Sequence, residues 1–191
     1  NSNIYCNIGL TYLSIREYKK AFDNLKYSIK FDKNNDLAYV NLNQILRVIK
    51  FNKFSDENCE ILNFILNRKL YVNPQDLSRS VMSLIKLNPK IIKIIKDLEC
   101  NTLQKNLLKN IKNLNSISLL IRYMELACVS DLQLEELLIQ LRKSILLNLD
   151  KIKNEPQIEN FLFSLSCQCY INEYIYKITK KEDDAVTEIE K

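Results

Sequence analysis

Histidine is absent from all 191 residues, and that narrows the chemistry before any pattern is sought. His is the usual general base of a catalytic triad and the commonest ligand of a transition metal. The remaining reactive side chains are sparse. Cys167 and Cys169 form a Cys-x-Cys pair, a spacing open to metal or redox chemistry. On a helix, though, residues two apart point to different faces, and no second pair completes four ligands. With the other four cysteines scattered, the expectation is reduced, structural thiols of a cytoplasmic protein, with no metal.

Glu173 stands among Asn172, Tyr174 and Tyr176 as the polar cluster of an otherwise apolar stretch. A carboxylate there could serve as acid or base. Buried polar groups need partners, however, and a seam between domains supplies them. Asn172, Glu173, Tyr174 and Tyr176 therefore read as a candidate interdomain contact. Lys86, Lys90 and Lys93 share one helical spacing, and Lys105, Lys109 and Lys112 another. The net charge is +5. No arginine or aromatic side chains are interleaved to read or stack bases, so these rows read as solvated helix faces and not a nucleic-acid track.

The elements that must position these residues are helices. One glycine and three prolines leave nothing for hairpin turns or a phosphate-cradling loop. Apolar residues recur at helical spacing. Residues 3–15 carry Ile4, Tyr5, Ile8, Tyr12 and Ile15 on one stripe, with Gly9 where a second helix could pack closely. A turn at Arg16-Glu17 precedes a helix from Tyr18 to Phe31, and a third helix opens near Asp36. Asn73-Pro74 and Asn88-Pro89 each pair a capping Asn with Pro at the first helical position. An extended Leu70-Tyr71-Val72 separates these from the helix around Ile61 to Leu66. Helices near 103–112 and 116–127 follow. Asp131 caps a long helix through Leu149, whose Glu135, Glu136, Arg142 and Lys143 suit the helix dipole. Pro156 opens a last apolar helix through Phe161, Leu165, Tyr170 and Tyr174, and residues 180–191 are a frayed helix or linker. Charges interrupt every apolar run, so no membrane span is expected.

The first elements carry a recognisable order. Tyr5, Ile8-Gly9 and Tyr12, then Ala21, Leu25 and Ser28, resemble the tetratricopeptide repeat (TPR), whose period is about 34 residues. Arg16 stands where the repeat has its turn Gly, and Lys33 where it has Pro. Tyr39 and Leu42 repeat Tyr5 and Ile8, after which the pattern decays. About one and a half units are recognisable, and stacking needs about three, so earlier repeats are expected upstream. By that resemblance Asn7 and Asn41 are equivalent and line a peptide-binding groove, flanked by Leu10, Gln44 and Arg47.

A second resemblance rests on Asp131 to Lys143 and on Gln168-Cys169-Tyr170-Ile171-Asn172-Glu173-Tyr174-Ile175-Tyr176. These segments are similar to the helical region of bacterial TPR–methyltransferase fusions, which precedes a class I S-adenosylmethionine-dependent catalytic domain. The resemblance implies such a domain beyond Lys191. S-adenosylmethionine would bind there, and no cofactor would bind in this chain. The expected architecture is all-α: a TPR-like superhelix end (1–50), a compact helical connector (51–178) and a charged tail or linker (179–191). The expected role is scaffolding, with a peptide or protein in the groove held near a tethered methyltransferase. The alternative is a stand-alone TPR adaptor without enzymatic activity.

Overall fold

The computed structural model describes residues 1–68, 72–152 and 154–189. The extended segment expected at Leu70-Tyr71-Val72 lies, except for Val72, outside them. The chain is all-α. Its described residues form twelve α-helices, two 3-10 turns and no strand. They divide into two compact units, Asn1–Leu84 and Ile85–Lys191.

The first unit holds α1 (Ser2–Ser14), α2 (Tyr18–Phe31), α3 (Asp36–Leu46), α4 (Asp56–Asn67) and a 3-10 turn (Pro74–Leu77). It also takes in most of α5 (Ser78–Lys86). Local signals set the starts. The Asn35 side chain accepts from Ala38 N at 3.1 Å, and that of Ser55 from Asn58 N at 3.3 Å. Each satisfies an orphan N–H of a first turn. Leu25, Ala38, Leu42, Ile45, Leu46 and Leu62 are fully buried at the centre.

A boundary near residue 50 has no counterpart in this division, because the segment after α3 packs back on the first helices. Phe51 meets Phe22 edge-on at 5.8 Å, and Glu57 pairs with Lys26 at 2.6 Å and Lys30 at 2.7 Å. Phe64 stacks on Tyr39 at 4.9 Å. The Arg68 guanidinium lies over both rings and bonds Asp36.

The second unit holds α6 (Pro89–Glu99), α7 (Leu107–Asn115), α8 (Ser118–Leu126), α9 (Leu132–Leu146) and the short α10 (Leu149–Ile152). A 3-10 turn at Pro156–Ile158 leads into α11 (Glu159–Ile171), and α12 (Lys180–Ile189) closes it. Asn88 caps α6 with Pro89 in its first turn, as its sequence predicts. Asp131 caps α9 through Leu134 N at 3.2 Å and also pairs with Lys86 at 2.9 Å. The turn expected to be helical from residue 103 is instead organised by Asp97, whose carboxylate accepts from Thr102, Asn106 and the buried Asn110 at 3.0–3.2 Å. Those bonds, Asn110 first, hold the Asp97 carboxyl below its ordinary value against burial. α11 packs against α8 and α7 with Phe161 fully buried.

Candidate functional site

In the first unit α1 and α2 run antiparallel, since Ser2 Oγ donates to Ser28 O at 3.0 Å. Asn35 Nδ2 reaches the same place, donating to Ser2 Oγ at 2.7 Å and Ser28 Oγ at 3.2 Å. α3 thus starts beside the start of α1. Gly9 makes the close approach its position suggested: a Cβ there would stand 2.7 Å from Leu25 Cγ. Arg16, in the turn position usual for Gly, has φ of 61°.

Of the five residues expected to form a groove, four reach the surface. Asn7, Gln44 and Arg47 are exposed and Leu10 is half-buried. Asn41 is 5% exposed, and its Nδ2 donates back to Leu37 O at 2.7 Å. Asn7 and Asn41, one period apart, therefore differ in accessibility. Arg47 is engaged with Asp76 at 2.9 Å. The stripe Ile4, Ile8, Ile15 is 57%, 38% and 62% exposed, because α1 turns Cys6 and Gly9 toward α2 instead. Phe31 and Tyr27 are also open, and both rings contact Tyr5.

The expected interdomain cluster divides in the structure. α11 stops at Ile171 instead of running through Tyr174. Tyr174 N donates to Cys169 O at 2.9 Å and Glu173 N to Tyr170 O at 3.1 Å. This pair of bonds is the Schellman closure, with Glu173 and Tyr174 at φ of 56° and 58°. The closure turns Glu173 and Tyr174 outward, exposed, and Asn172 and Tyr176 inward, 8% and 6% exposed.

Behind Tyr176 lies a group that the sequence reading left in the tail. Glu182 is 1% exposed and pairs with Arg142 at 3.0 Å. Its other oxygen accepts from Thr179 N and Thr179 Oγ1, both at 2.8 Å. Burial pushes the Glu182 carboxyl up, but Thr179 and Arg142 more than offset that and hold it below its ordinary value. Arg142 also donates to Lys177 O at 2.7 Å. The Thr-x-x-Glu spacing of Thr179 and Glu182 is a capping-box signature legible in the sequence. Only the partner Arg142, 40 residues away, was not.

A cavity of about 580 Å³ opens between α9, Cys128, residues 172–179 and Glu182. Asn172 and Tyr176 line it, but the Asn172 amide atoms and the Tyr176 hydroxyl are themselves shut off from solvent, and the Asn172 side chain acts on the Tyr176 hydroxyl. Burial drives the Tyr176 hydroxyl far above its ordinary value, with Glu135 reinforcing it, so the group is neutral.

The lysine rows do not form tracks. Lys86 belongs to α5, while Lys90 and Lys93 belong to α6, and Lys105 precedes α7. Lys86 pairs with Asp131, Lys90 donates to Ser116 at 2.6 Å, and Lys112 pairs with Glu155 at 2.8 Å. Cys167 and Cys169 are half-buried on α11, and burial raises the Cys169 thiol. Among the described residues no three His, Cys, Asp or Glu side chains converge to hold a metal, and no helix is long and apolar enough to cross a membrane. The one glycine lies inside α1 against Leu25, so these residues do not fit the glycine-rich loop that an S-adenosylmethionine site requires. Fold and site together define an all-α helical protein. No protein-family model, curated protein or solved structure matches the chain.

Proposed function

We propose that this chain is a protein-interaction segment built on TPR-like helical stacking, the recognition arm of a larger protein with a tethered S-adenosylmethionine-dependent methyltransferase domain. One observation carries the stacking part. In the first unit, polar contacts that reach beyond the adjacent helix recur at nearly constant sequence separation. Lys26–Asn58 and Phe51–Ser83 lie 32 residues apart and Asn35–Ser2 33. Within the first unit, that spacing is what stacked helical pairs produce when each touches mainly the next. The exposed stripe of α1 supports a neighbour of the same kind. Groove recognition would use Asn7, Leu10, Gln44 and Arg47, with Asn41 supporting α3 from inside. Holding a protein ligand beside a tethered catalytic domain raises its effective concentration there.

The test is to read the native coding frame past Lys191 and to assay methyl transfer by the parent with and without residues 1–50. A strand-like apolar run, an acidic residue and a Gly-x-Gly loop, with transfer lost on deletion, are the expected results. A stop codon directly after Lys191 removes the enzyme and leaves an adaptor. Transfer unchanged by the deletion removes the recognition role.

A further inference from the structure

We infer that Tyr170, Glu173 and Tyr174, at the end of α11, form a recognition site for a methylated ammonium group, the tip of a methyl-lysine side chain on a peptide. The inference rests neither on the groove of the first unit nor on any tethered enzyme. Its first basis is the pair of rings. Tyr170 and Tyr174 meet edge to face, with centroids 6.4 Å apart and planes at 84°. Rings near a right angle make a corner, and the negative faces of aromatic rings are where a cation is held. The Schellman closure fixes Tyr174 in this corner at φ of 58°, a backbone conformation that bulky side chains rarely adopt. Both rings are exposed, and with Ile171 and Glu173 they line an open recess of about 440 Å³.

The second basis is charge. Other tyrosine rings are covered by the chain's own cations: Lys20 lies over Tyr12, Lys30 over Tyr27, Arg68 over Tyr39 and Arg142 over Tyr176. Among the described residues no Lys or Arg lies over Tyr170 or Tyr174, and Glu173 has no ion-pair partner. Glu173 is the one charged side chain lining the recess, so an aromatic corner and an unmatched carboxylate meet there. That combination attracts a cation. A primary ammonium is compact and strongly hydrated, and an open recess does not replace its water. A methylated ammonium is larger and less hydrated, and its methyl groups pack on the ring faces. No basic side chain lines the recess to receive a phosphate, which disfavours a phosphocholine headgroup. An open surface corner suits a side chain presented by an extended peptide.

The experiment titrates the full chain, followed by NMR, with the amide of Nα-acetyl-trimethyl-lysine, its unmethylated counterpart, choline, and the neutral isostere 3,3-dimethylbutanol. The expected Kd for the trimethyl-lysine compound is on the order of 1 mM. The unmethylated compound and the neutral isostere should each bind roughly tenfold more weakly. Ring currents should move the N-methyl protons upfield as the Tyr170 and Tyr174 ring signals shift. Tyr170→Leu keeps an apolar surface but removes a ring, and should abolish the preference for the cation over the isostere. Glu173→Gln should weaken binding roughly threefold. Both side chains are exposed, and circular dichroism checks each variant's fold. Choline bound as tightly supports the ammonium site and assigns it to small methylated amines, while weaker choline supports the peptide side chain. An isostere that matches the cation would overturn the inference. So would unmoved ring signals, or a cation preference that survives Tyr170→Leu.

Discussion

Gln168 Oε1 accepts the backbone N–H of Val129 at 2.5 Å, across 39 residues of sequence. Its Nε2 donates to Ala127 O at 2.9 Å and Met124 O at 3.2 Å. One fully buried side chain on α11 thereby satisfies three backbone groups at the end of α8, where the helix has no partners of its own. Replacing it by Leu keeps the volume and removes all three bonds. Gln168→Leu should destabilise the chain by about 2–4 kcal/mol, read as a lower urea midpoint at unchanged slope. A loss below about 0.5 kcal/mol would show that water replaces the amide.

Gly9 sits against Leu25 with no room for a methyl group. Gly9→Ala should gain about 1 kcal/mol of helix propensity and lose about 1–3 by overpacking. Leu25 is fully buried and the clash falls on its Cγ, near the backbone, so loss should win by about 1 kcal/mol. Leu25→Ala alone should cost about 2–5 kcal/mol, and at least about 0.5 less in the Gly9→Ala background. Strict additivity in thermal or urea unfolding would mean that the two helices are not in contact at this point.

Arg16 holds φ of 61° to close α1, with Arg16 N on Leu13 O and Glu17 N on Tyr12 O. That conformation costs a residue with a Cβ about 1 kcal/mol or more, and it costs Gly little. Arg16→Gly should therefore raise stability by about 1 kcal/mol, whereas the β-branched Arg16→Val should lower it. A destabilised glycine variant would argue that the turn adopts another conformation.

The helices themselves were legible where capping chemistry is local. Asn88 before Pro89 and Asp131 before α9 mark their starts by side chains that reach only two or three residues ahead. The span Tyr18–Phe31 was readable from its apolar spacing. The end of α11 was not, because Asn172-Glu173-Tyr174 contains no glycine and its apolar period runs on unbroken. The left-handed turn there appears only in the structure. Exposure was equally hidden. Ile4, Ile8 and Ile15 have the spacing of a buried face, yet burial falls to Cys6 and Gly9, since the partner helix decides which stripe is covered. Of the candidate residues, Asn172 and Tyr176 were found by composition alone, while Arg142 and Glu182 depend on contacts 40 residues apart.

The last prediction concerns acid. Glu182 is ionised in a buried setting, held below its ordinary value by Thr179 and Arg142 despite burial. A carboxyl whose folded value lies below its unfolded value of about 4.3 contributes stability that is complete above the unfolded value. That stability is lost as pH falls through the folded one. Protonation removes the charge that faces Arg142 and one acceptor that fixes Thr179, so the start of α12 should loosen as pH drops below about 4.5. Hydrogen exchange at Asp183, whose N–H bonds Thr179 O at 3.1 Å, reports that opening. Glu182→Gln should loosen α12 at neutral pH and flatten the acid dependence of its exchange. An unchanged acid profile in the variant would mean that other carboxylates, Asp97 foremost, control the acid response of this unit.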